Sequence, residues 1–347
     1  MRRWLAALLL LATALVAGCT DEPVVVSREA LGTVLSVTAY GEDEEAVSAA
    51  VEQAYVAMAA VEAQVDVYDQ TSALAQFNAN PYQTTALPPD ALAILDRIAA
   101  LNISAEFSPT LLGVTRLYDF QGGGHVPDAE DLSLALNASQ QFTRTEDGGA
   151  SFTRLDNPDA RLDAGGPLAP GLDLGGAAKG LALDRARDVL RASGAVTAAI
   201  ISSGSSTVTF GTKPDKTVWR IGIEDPRDPD RIVATFAFEG DGALSTSGDY
   251  QTFFEAGGRR YHHILHPATG RPAEGVRSLT VAGTSLTGLD SDILSTALFV
   301  RGAEEAESYA TDQGLALFVV DAEGRALVVP APAESGLSVA EKATPRP

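Results

Sequence analysis

A glycine-rich stretch at residues 172–190, LDLGGAAKGLALDRARDVL, carries residue types suited to binding a phosphate. It joins an acidic residue (Asp173), a glycine pair and a lysine (Lys179) to the start of an amphipathic helix. Backbone N–H groups at a glycine-rich helix start point at an anion, the helix dipole favours it, and Lys179 adds a full charge. The stretch matches neither GxxxxGK(S/T) nor GxGxxG, so it indicates neither a P-loop nor a Rossmann unit. By itself the stretch fits a second interpretation equally well: the glycines allow close helix packing and Lys179 is simply exposed to solvent.

A second candidate site lies in LDSDILSTALF, residues 289–299, where Asp292, Ser295 and Thr296 stand at i, i+3 and i+4. This spacing puts the three side chains on one face of a helix. A carboxylate, two hydroxyls and a free carbonyl form a set of hard oxygens suited to Mg²⁺. The alternative is a helix N-cap at Asp290 or Asp292, with Thr296 facing outward.

Three of the four histidines, His262, His263 and His266, fall within YHHILHPATG at residues 261–270. Alternation along a strand puts His262 and His263 on opposite faces, which argues against one shared metal ion. The pattern favours one histidine that acts as a base or contacts a ligand. In ALSTSGDY, residues 243–250, small hydroxyl residues and a glycine would let backbone approach a ligand, or would simply end a strand in a turn.

Composition excludes several classes of function. The formal charge of −21, from 25 Lys and Arg against 46 Asp and Glu, argues against nucleic acid as a partner. An anionic ligand would then need local compensation from a divalent metal and a few placed cations. Cys19 is the only cysteine, so the chain beyond it has no disulfide and no thiol nucleophile. Motifs such as GxSxG and HExxH are absent from the sequence.

The first residues resemble a bacterial lipoprotein signal. Arg2 and Arg3 precede an apolar run, residues 4–16, that is too short to span a bilayer comfortably, and the run leads into VAGC ending at Cys19. The resemblance implies a signal peptide at 1–18, lipidation of Cys19 and an anchored linker at 19–27. We therefore expect a lipid-anchored protein on the periplasmic side of a bacterial membrane. The alternative is an ordinary signal peptide with an incidental cysteine.

The elements that position these residues are predicted from periodicity. Residues 24–40 alternate as two strands or one bulged strand, interrupted at 31–33. Helices are predicted at about 42–66, 89–102, 127–136, 180–193, 290–300 and 303–313. Short strands and hairpins fill most of the region from 196 to 329. The sum is an α+β (mixed α/β) fold with one or two lobes, in a single domain at 28–330. A disordered tail is predicted at 331–347, where Ala, Pro and Ser are prominent.

Taken in order, the motifs resemble those of the FAD:protein FMN transferases, the ApbE-like flavin transferases, several of which are periplasmic lipoproteins. The resemblance covers residues 30–302, and its pieces are LGT, YDQTSALAQFN, FSPTLLGVTRLYDF, LDLGGAAKG, TSGDY, HHILHPATG and SDILSTALF. It implies an ApbE-like fold of mostly antiparallel sheets with flanking helices. Such enzymes use Mg²⁺ to split the pyrophosphate of FAD. They join FMN to a threonine hydroxyl of a partner protein by a phosphoester and release AMP.

The resemblance also implies roles for individual residues. The Gly176 carbonyl, Asp292, Ser295 and Thr296 would hold Mg²⁺, and His263 would lie near the reacting phosphate. The residues expected to contact FAD are Leu31, Tyr68, Ser108, Pro109, Thr110, Asp173, Lys179, Ile264 and Leu265. Either His263 or Asp292 could take the proton of the acceptor threonine.

The sequence departs from the family pattern at three places around the predicted pocket. His266 and Ser108 each stand where the family usually has aspartate, and residues 71–74 read TSAL instead of DSEL. These changes bear on substrate fit or rate more than on the metal site. Two alternatives follow: an FAD pyrophosphatase that gives FMN and AMP, and a periplasmic FAD-binding lipoprotein without catalysis. The Asp292, Ser295 and Thr296 set argues against the second.

The resemblance implies an acceptor that is a membrane-associated redox protein with an exposed threonine. The acceptors it suggests are subunits of the Na⁺-translocating NADH:quinone reductase (Nqr), of the related Rnf complex, or the flavoprotein of nitrous oxide respiration.

Overall fold

A computed structural model describes residues 22–156 and 159–345 of the chain. The helices in these ranges are α1 (Glu44–Val65), α2 (Ala73–Ala79), α3 (Pro89–Leu101), α4 (Leu112–Tyr118), α5 (Ala129–Ser139), α6 (Gly175–Ala192), α7 (Gly288–Arg301) and α8 (Ala303–Gln313). The strands are β1 (Val24–Ala30), β2 (Thr33–Tyr40), β3 (Thr85–Ala86), β4 (Phe142–Arg144), β5 (Gly149–Phe152), β6 (Ala198–Ser202), β7 (Ser206–Phe210), β8 (Trp219–Asp225), β9 (Asp228–Phe238), β10 (Gly242–Gly248), β11 (Phe253–Ala256), β12 (Arg259–His262), β13 (Val276–Gly283), β14 (Ala316–Asp321), β15 (Ala326–Val329) and β16 (Leu337–Pro345).

An eight-stranded sheet in the order β1-β2-β6-β7-β10-β13-β14-β15 forms the centre of the fold. Every neighbouring pair in it is antiparallel. Smaller sheets are formed by β16-β9-β8, β3-β5-β4 and the hairpin β11-β12. The predicted α+β class with mostly antiparallel sheets and flanking helices is therefore confirmed.

The central sheet is covered on both faces. In β14, Leu317 and Val319 pack into the cluster that holds α7 and α8, whereas Ala316 and Phe318 pack into the cluster that holds β8 and β9. This alternation follows from the two-residue period of a strand. Because both faces are buried, the strand is apolar throughout instead of alternating with polar residues.

Small residues let α6 lie close to both α1 and α7, and these three helices form one layer. The buried positions of α6 are mainly alanine and glycine, including Ala178, Gly180 and Ala182. The neighbouring α7 is buried over most of its length. Its start is fixed by a capping box between Thr287 and Asp290.

Most of the elements predicted from periodicity are confirmed, but two helices have shifted bounds: α5 covers Ala129–Ser139 instead of 127–136, and α6 begins earlier than predicted. The stretch at 24–40 forms a hairpin, and α1, α3, α7 and α8 lie within two residues of their predicted bounds. However, α6 begins at Gly175 and not after Lys179, since the backbone of Ala177 and Ala178 already donates to the Leu174 carbonyl. The glycine pair is thus the first turn of the helix.

The predicted disordered tail is corrected by the structure. Residues 337–345 form β16, which pairs with β9. Leu337 and Val339, two positions apart, pack into the cluster of Trp219 and Phe238. Two apolar residues at strand spacing are enough to hold the segment, although Pro, Ala and Ser dominate its composition.

The predicted signal peptide and the lipidation site at Cys19 lie outside the described residues. Among the helices that the structure describes, none has the length and apolar character required to cross a membrane.

Candidate active site

Several turns meet at one edge of the central sheet. The pairing of Ser36 with Ser202 brings the β1–β2 turn next to the β6–β7 turn, and the Thr33 hydroxyl donates to the Ser203 carbonyl at 3.1 Å. The pairing of Ser206 with Ser245 brings the end of β10 to the same edge. Segments far apart in the sequence are thereby collected beside α7.

Asp292 on α7 lies at the centre of this region and is buried. Its Oδ1 accepts a hydrogen bond from the Ser206 hydroxyl at 2.9 Å, and its Oδ2 accepts one from the Gly180 N–H at 2.9 Å. Burial raises the pKa of Asp292, and the charge of Lys179 with these two hydrogen bonds opposes the rise. Asp292 makes no ion pair in the described part of the chain.

The contact between Asp292 and α6 depends on Gly180 having no side chain. A Cβ at Gly180 would lie 2.1 Å from the Gly288 carbonyl oxygen and 2.8 Å from the Asp292 Cβ. The Gly180 N–H donates to Asp292. A carbonyl oxygen has two lone pairs, so the Gly176 oxygen in the first turn of α6 has acceptor capacity for a cation.

Further hydroxyl groups cluster beside Asp292, between α7 and β10. The Ser247 Oγ on β10 lies 2.9 Å from the Ser295 Oγ and 3.1 Å from the Thr296 Oγ1. The Ser295 hydroxyl also donates to the Asp292 backbone carbonyl at 3.0 Å. The Thr296 hydroxyl is therefore directed to β10, although the residue is only partly buried, and Thr287, not Asp292, is the N-cap of α7. The N-cap alternative for Asp292 is excluded, while Asp290 completes the capping box.

Gly176 belongs to the same group of residues. A Cβ at Gly176 would lie 3.1 Å from the ring of Phe107 and 3.8 Å from the Thr296 Oγ1. The glycine pair at the start of α6 thus adjoins the hydroxyl face of α7. The four residues predicted to hold Mg²⁺ are brought together by the α6–α7 contact.

Lys179 connects this group with the other predicted residues. Its ammonium group donates to the Gly175 carbonyl at 3.2 Å. Burial raises the pKa values of Asp173 and Asp292 and lowers that of His263; the positive charge of Lys179 opposes the two rises and adds to the fall, so all three groups lie within its electrostatic range. In a protein with a large negative net charge, a lysine placed among two carboxylates and a histidine supplies the local compensation that an anionic ligand needs.

The turn at 108–110 is attached to the start of α6 by the backbone. The Asp173 N–H donates to the Pro109 carbonyl at 2.7 Å, and the Asp173 Oδ1 accepts from the Gly175 N–H at 2.9 Å. Ser108 and Thr110 are joined through their hydroxyls at 2.9 Å. Partial burial raises the pKa of Asp173, and the Gly175 N–H, Lys179 and Arg116 oppose the rise. These residues form one continuous wall with the glycine pair.

Tyr68 and Arg116 lie close to that wall. Tyr68 exposes 65% of its surface, and the charges of Asp173 and Arg116 both act on its hydroxyl. The Arg116 side chain makes no hydrogen bond or ion pair among residues 22–156 and 159–345. Sequence reasoning missed Arg116, because an arginine on a short helix carries no signal of its own.

The three histidines bind three different backbone groups. The His263 Nδ1 lies 3.2 Å from the Thr252 carbonyl, the His262 Nε2 lies 2.9 Å from the Ala273 carbonyl, and the His266 Nδ1 accepts from the Ala268 N–H at 3.1 Å. A carbonyl can only accept, so His263 carries its proton on Nδ1 and leaves Nε2 free to receive one.

Burial sets the charge of His263. It lowers the pKa of His263 to about 4, with a small contribution from Lys179, so the ring is neutral at pH 7. Because the three histidine rings bond to three separate backbone groups, they do not converge on one metal position, as alternation along the strand predicts.

The side chains of Ile264 and Leu265 are buried at 4% and 6% exposure in two separate apolar clusters. Contact of these two residues with FAD stays a prediction. Within the described residues, no group of three or more His, Cys, Asp and Glu side chains could hold a metal ion. A cation at this site would therefore be bound by one carboxylate together with hydroxyl and carbonyl oxygens.

The fold and the site define an antiparallel α+β protein whose helix start, lysine and buried carboxylate suit a phosphate ester together with a hard cation. The chain belongs to the ApbE family, whose model matches residues 31–319. The resemblance recognised in the sequence motifs is confirmed by this match.

Individual relatives agree with the family match over most of the chain. A protein of Vibrio cholerae named FAD:protein FMN transferase is 30% identical over 320 residues, which cover 89% of this chain and 91% of that protein. The crystal structure of the ApbE protein of Thermotoga maritima has a TM-score of 0.75 at 26% identity and covers 88% of this chain and 97% of that one. The apo form of the flavinyl transferase ApbE of Pseudomonas stutzeri has a TM-score of 0.68 at 27% identity, with coverages of 92% and 94%.

Proposed function

We propose that this chain is an FAD:protein FMN transferase. It would bind FAD, break the pyrophosphate with the help of Mg²⁺, and join the FMN phosphate to a threonine hydroxyl of an acceptor protein, releasing AMP. Membership of the ApbE family and the names of the relatives support flavin transfer. The observation that carries the proposal is the buried Asp292 carboxylate, which accepts a hydrogen bond from the Ser206 hydroxyl, shares a helix face with Ser295 and Thr296, and lies within range of the Lys179 charge.

The residues present fit Mg²⁺. Asp292 is a buried carboxylate without an ion-pair partner among the described residues, so its charged form would gain from a cation. The hydroxyls of Ser295 and Thr296 and the carbonyl of Gly176 add hard oxygens, the ligand type that Mg²⁺ prefers. When bound, Mg²⁺ would neutralise negative charge on the pyrophosphate oxygens.

The protein groups would bind and orient the reacting phosphate. Phosphoryl transfer depends mainly on in-line positioning and on electrostatic stabilisation. The N–H groups at the start of α6 and the ammonium of Lys179 would hold the pyrophosphate. Asp173, Tyr68 and the 108–110 turn, which are joined to that helix start, would orient the remainder of FAD.

The acceptor threonine must lose its proton as it attacks phosphorus, and the geometry favours His263 over Asp292 as the base. Both Asp292 oxygens already accept hydrogen bonds, whereas the Nε2 of His263 is free. The threonine oxygen would form a bond to the FMN phosphorus, its proton would pass to His263, and the bond to the AMP oxygen would break. Bound phosphates raise the proton affinity of a nearby histidine, which offsets the effect of burial.

We further propose that the protein is a lipoprotein anchored through Cys19 on the periplasmic side of the membrane, as the signal-like start of the sequence suggests. The acceptor would be a membrane-associated redox protein of the Nqr, Rnf or nitrous oxide respiration type. This address would place the enzyme beside its substrate protein.

The test uses purified protein, FAD, Mg²⁺ and a candidate acceptor domain with an exposed threonine. Intact-mass analysis should show that the acceptor gains one FMN. If FAD is converted to FMN and AMP while the acceptor stays unmodified, the chain is a pyrophosphatase. FAD that binds but survives intact would indicate a carrier without catalysis.

A further inference from the structure

The turn between β1 and β2 has a backbone conformation that its sequence disfavours. Leu31 and Gly32 both have positive φ, at +52° and +66°. Two-residue hairpin turns of this kind favour Asn-Gly, because the Cβ of a leucine crowds the backbone in the left-handed region. A strained residue of this type is a reason to look for a role of its side chain.

Glu62 on α1 holds the turn in this conformation. Its Oε1 accepts a hydrogen bond from the Leu31 N–H at 2.6 Å, across 31 positions of sequence. Glu62 has no ion-pair partner among the described residues, so its carboxylate is committed to this one backbone group. A hydrogen bond to a charged acceptor is among the stronger ones in proteins.

The turn adjoins the active site. The Thr33 hydroxyl, one residue beyond Gly32, donates to the Ser203 carbonyl, and Ser206 in the next strand donates to Asp292. The Leu31 side chain is only partly buried and lies beside the main apolar core. An apolar side chain at this place suits the flat face of an aromatic ring of the ligand.

We infer that Glu62 is a positioning residue for FAD: by holding the Leu31 N–H, it fixes the strained turn so that the Leu31 side chain packs against a ring of FAD. This inference rests on the proposed function, since it takes FAD as the ligand. It adds a residue whose side chain bonds to the turn and not to a predicted metal ligand.

The test measures the affinity for FAD by flavin fluorescence and the melting temperature of the same purified protein. Glu62→Ala removes the acceptor and should weaken FAD binding about tenfold. Glu62→Gln keeps an amide oxygen that can accept the Leu31 N–H, so its affinity should stay within about twofold of the parent protein. Glu52→Ala is the matched control, because Glu52 lies on the same helix and pairs with Arg28.

A second variant separates positioning from a purely structural role. Leu31→Asn suits the left-handed backbone but loses the packing of Leu31 on the apolar core, so the melting temperature should stay within about 2 °C of the parent protein. The same change removes the apolar contact with the ligand and should weaken FAD binding about tenfold. Parent-like affinity of Leu31→Asn at an unchanged melting temperature would show that the turn has only a structural role, and that result would overturn the inference.

Parent-like affinity in Glu62→Ala would overturn it as well. If Glu62→Ala melts at a much lower temperature than the parent protein, its weak binding of FAD reflects unfolding. The FAD affinities of the other two variants then decide: parent-like affinity in Glu62→Gln with weakened affinity in Leu31→Asn supports the inference, and parent-like affinity in Leu31→Asn overturns it. The proposed function fails separately, by an acceptor that stays unmodified even though the parent protein binds FAD.

Discussion

Gly180→Ala changes the contact on which the geometry of Asp292 depends. The new Cβ would lie 2.1 Å from the Gly288 carbonyl oxygen and 2.8 Å from the Asp292 Cβ. An ordinary carbon–oxygen contact is longer by about 1 Å, so α6 and α7 must separate locally by about that distance. Both neighbours are rigid, since one is backbone and the other is the first carbon of a buried side chain.

The expected magnitude is the balance of two opposing terms. Overpacking of a tight contact costs about 3 kcal/mol, whereas alanine in place of glycine inside a helix gains about 1 kcal/mol. The free energy of unfolding should therefore fall by about 2 kcal/mol. A shift of about 1 Å at Asp292 should also lower the rate of FMN transfer about a hundredfold.

Urea unfolding and the initial rate of acceptor modification measure the two effects. Gly240→Ala is the control, since a Cβ there meets no heavy atom within 4 Å. If helix propensity alone mattered, Gly180→Ala would be more stable than the parent protein. That increase in stability would refute the close-contact argument by its sign.

Three further predictions concern protonation, the carboxylate and the tail. The pKa of His263 is lowered to about 4 against 6.5 unfolded, so the unfolded state binds more protons between these values. Acidification from pH 6.5 to pH 4 should therefore lower the free energy of unfolding by about 2 kcal/mol, a value reduced because His263 is partly exposed. In urea unfolding, His263→Gln should make the free energy of unfolding depend less steeply on pH. Ser206→Ala leaves the Asp292 Oδ1 without its donor and should lower the free energy of unfolding by about 2 kcal/mol in EDTA; an unchanged value would contradict the assigned hydrogen bond. Leu337→Asp removes a buried side chain and should lower both the free energy of unfolding, by about 3 kcal/mol, and the melting temperature. The control Ser338→Asp, on the exposed face of β16, should leave the melting temperature unchanged. Equal effects of the two variants would show that Leu337 does not anchor β16.

The sequence predicts local structure well where one local cause decides it. The spacing of Val47, Val51, Ala54 and Met58 predicts α1, and these residues are buried on one side of it. The tail at 337–345 was missed, because its strand forms only when β9 offers a partner. The start of α6 was placed late, because a glycine pair usually weakens a helix, while here the first turn is held by tertiary contacts.

In the candidate site, too, the sequence predicts the local arrangements but not those that depend on tertiary contacts. Asp292, Ser295 and Thr296 share a helix face, so their spacing alone brings them together. Ser206 and Glu62 carry no such signal, because their partners lie 86 and 31 positions away in the sequence. The pairing of β2, β6, β7 and β10 brings Ser206 and the β1–β2 turn to one edge of the sheet, and Glu62 reaches that turn from α1.

FMN transfer should require a Mg²⁺ ion held by Asp292 with the hydroxyls of Ser295 and Thr296. The mass of the acceptor after incubation with FAD, measured as a function of Mg²⁺ for the parent protein and for Asp292→Ala, tests this requirement. EDTA should stop the gain of FMN, Mg²⁺ should restore it in the parent protein, and Asp292→Ala should stay inactive at every Mg²⁺ concentration. Transfer that is indifferent to EDTA, or that survives in Asp292→Ala, would show that Asp292 does not hold a required metal ion.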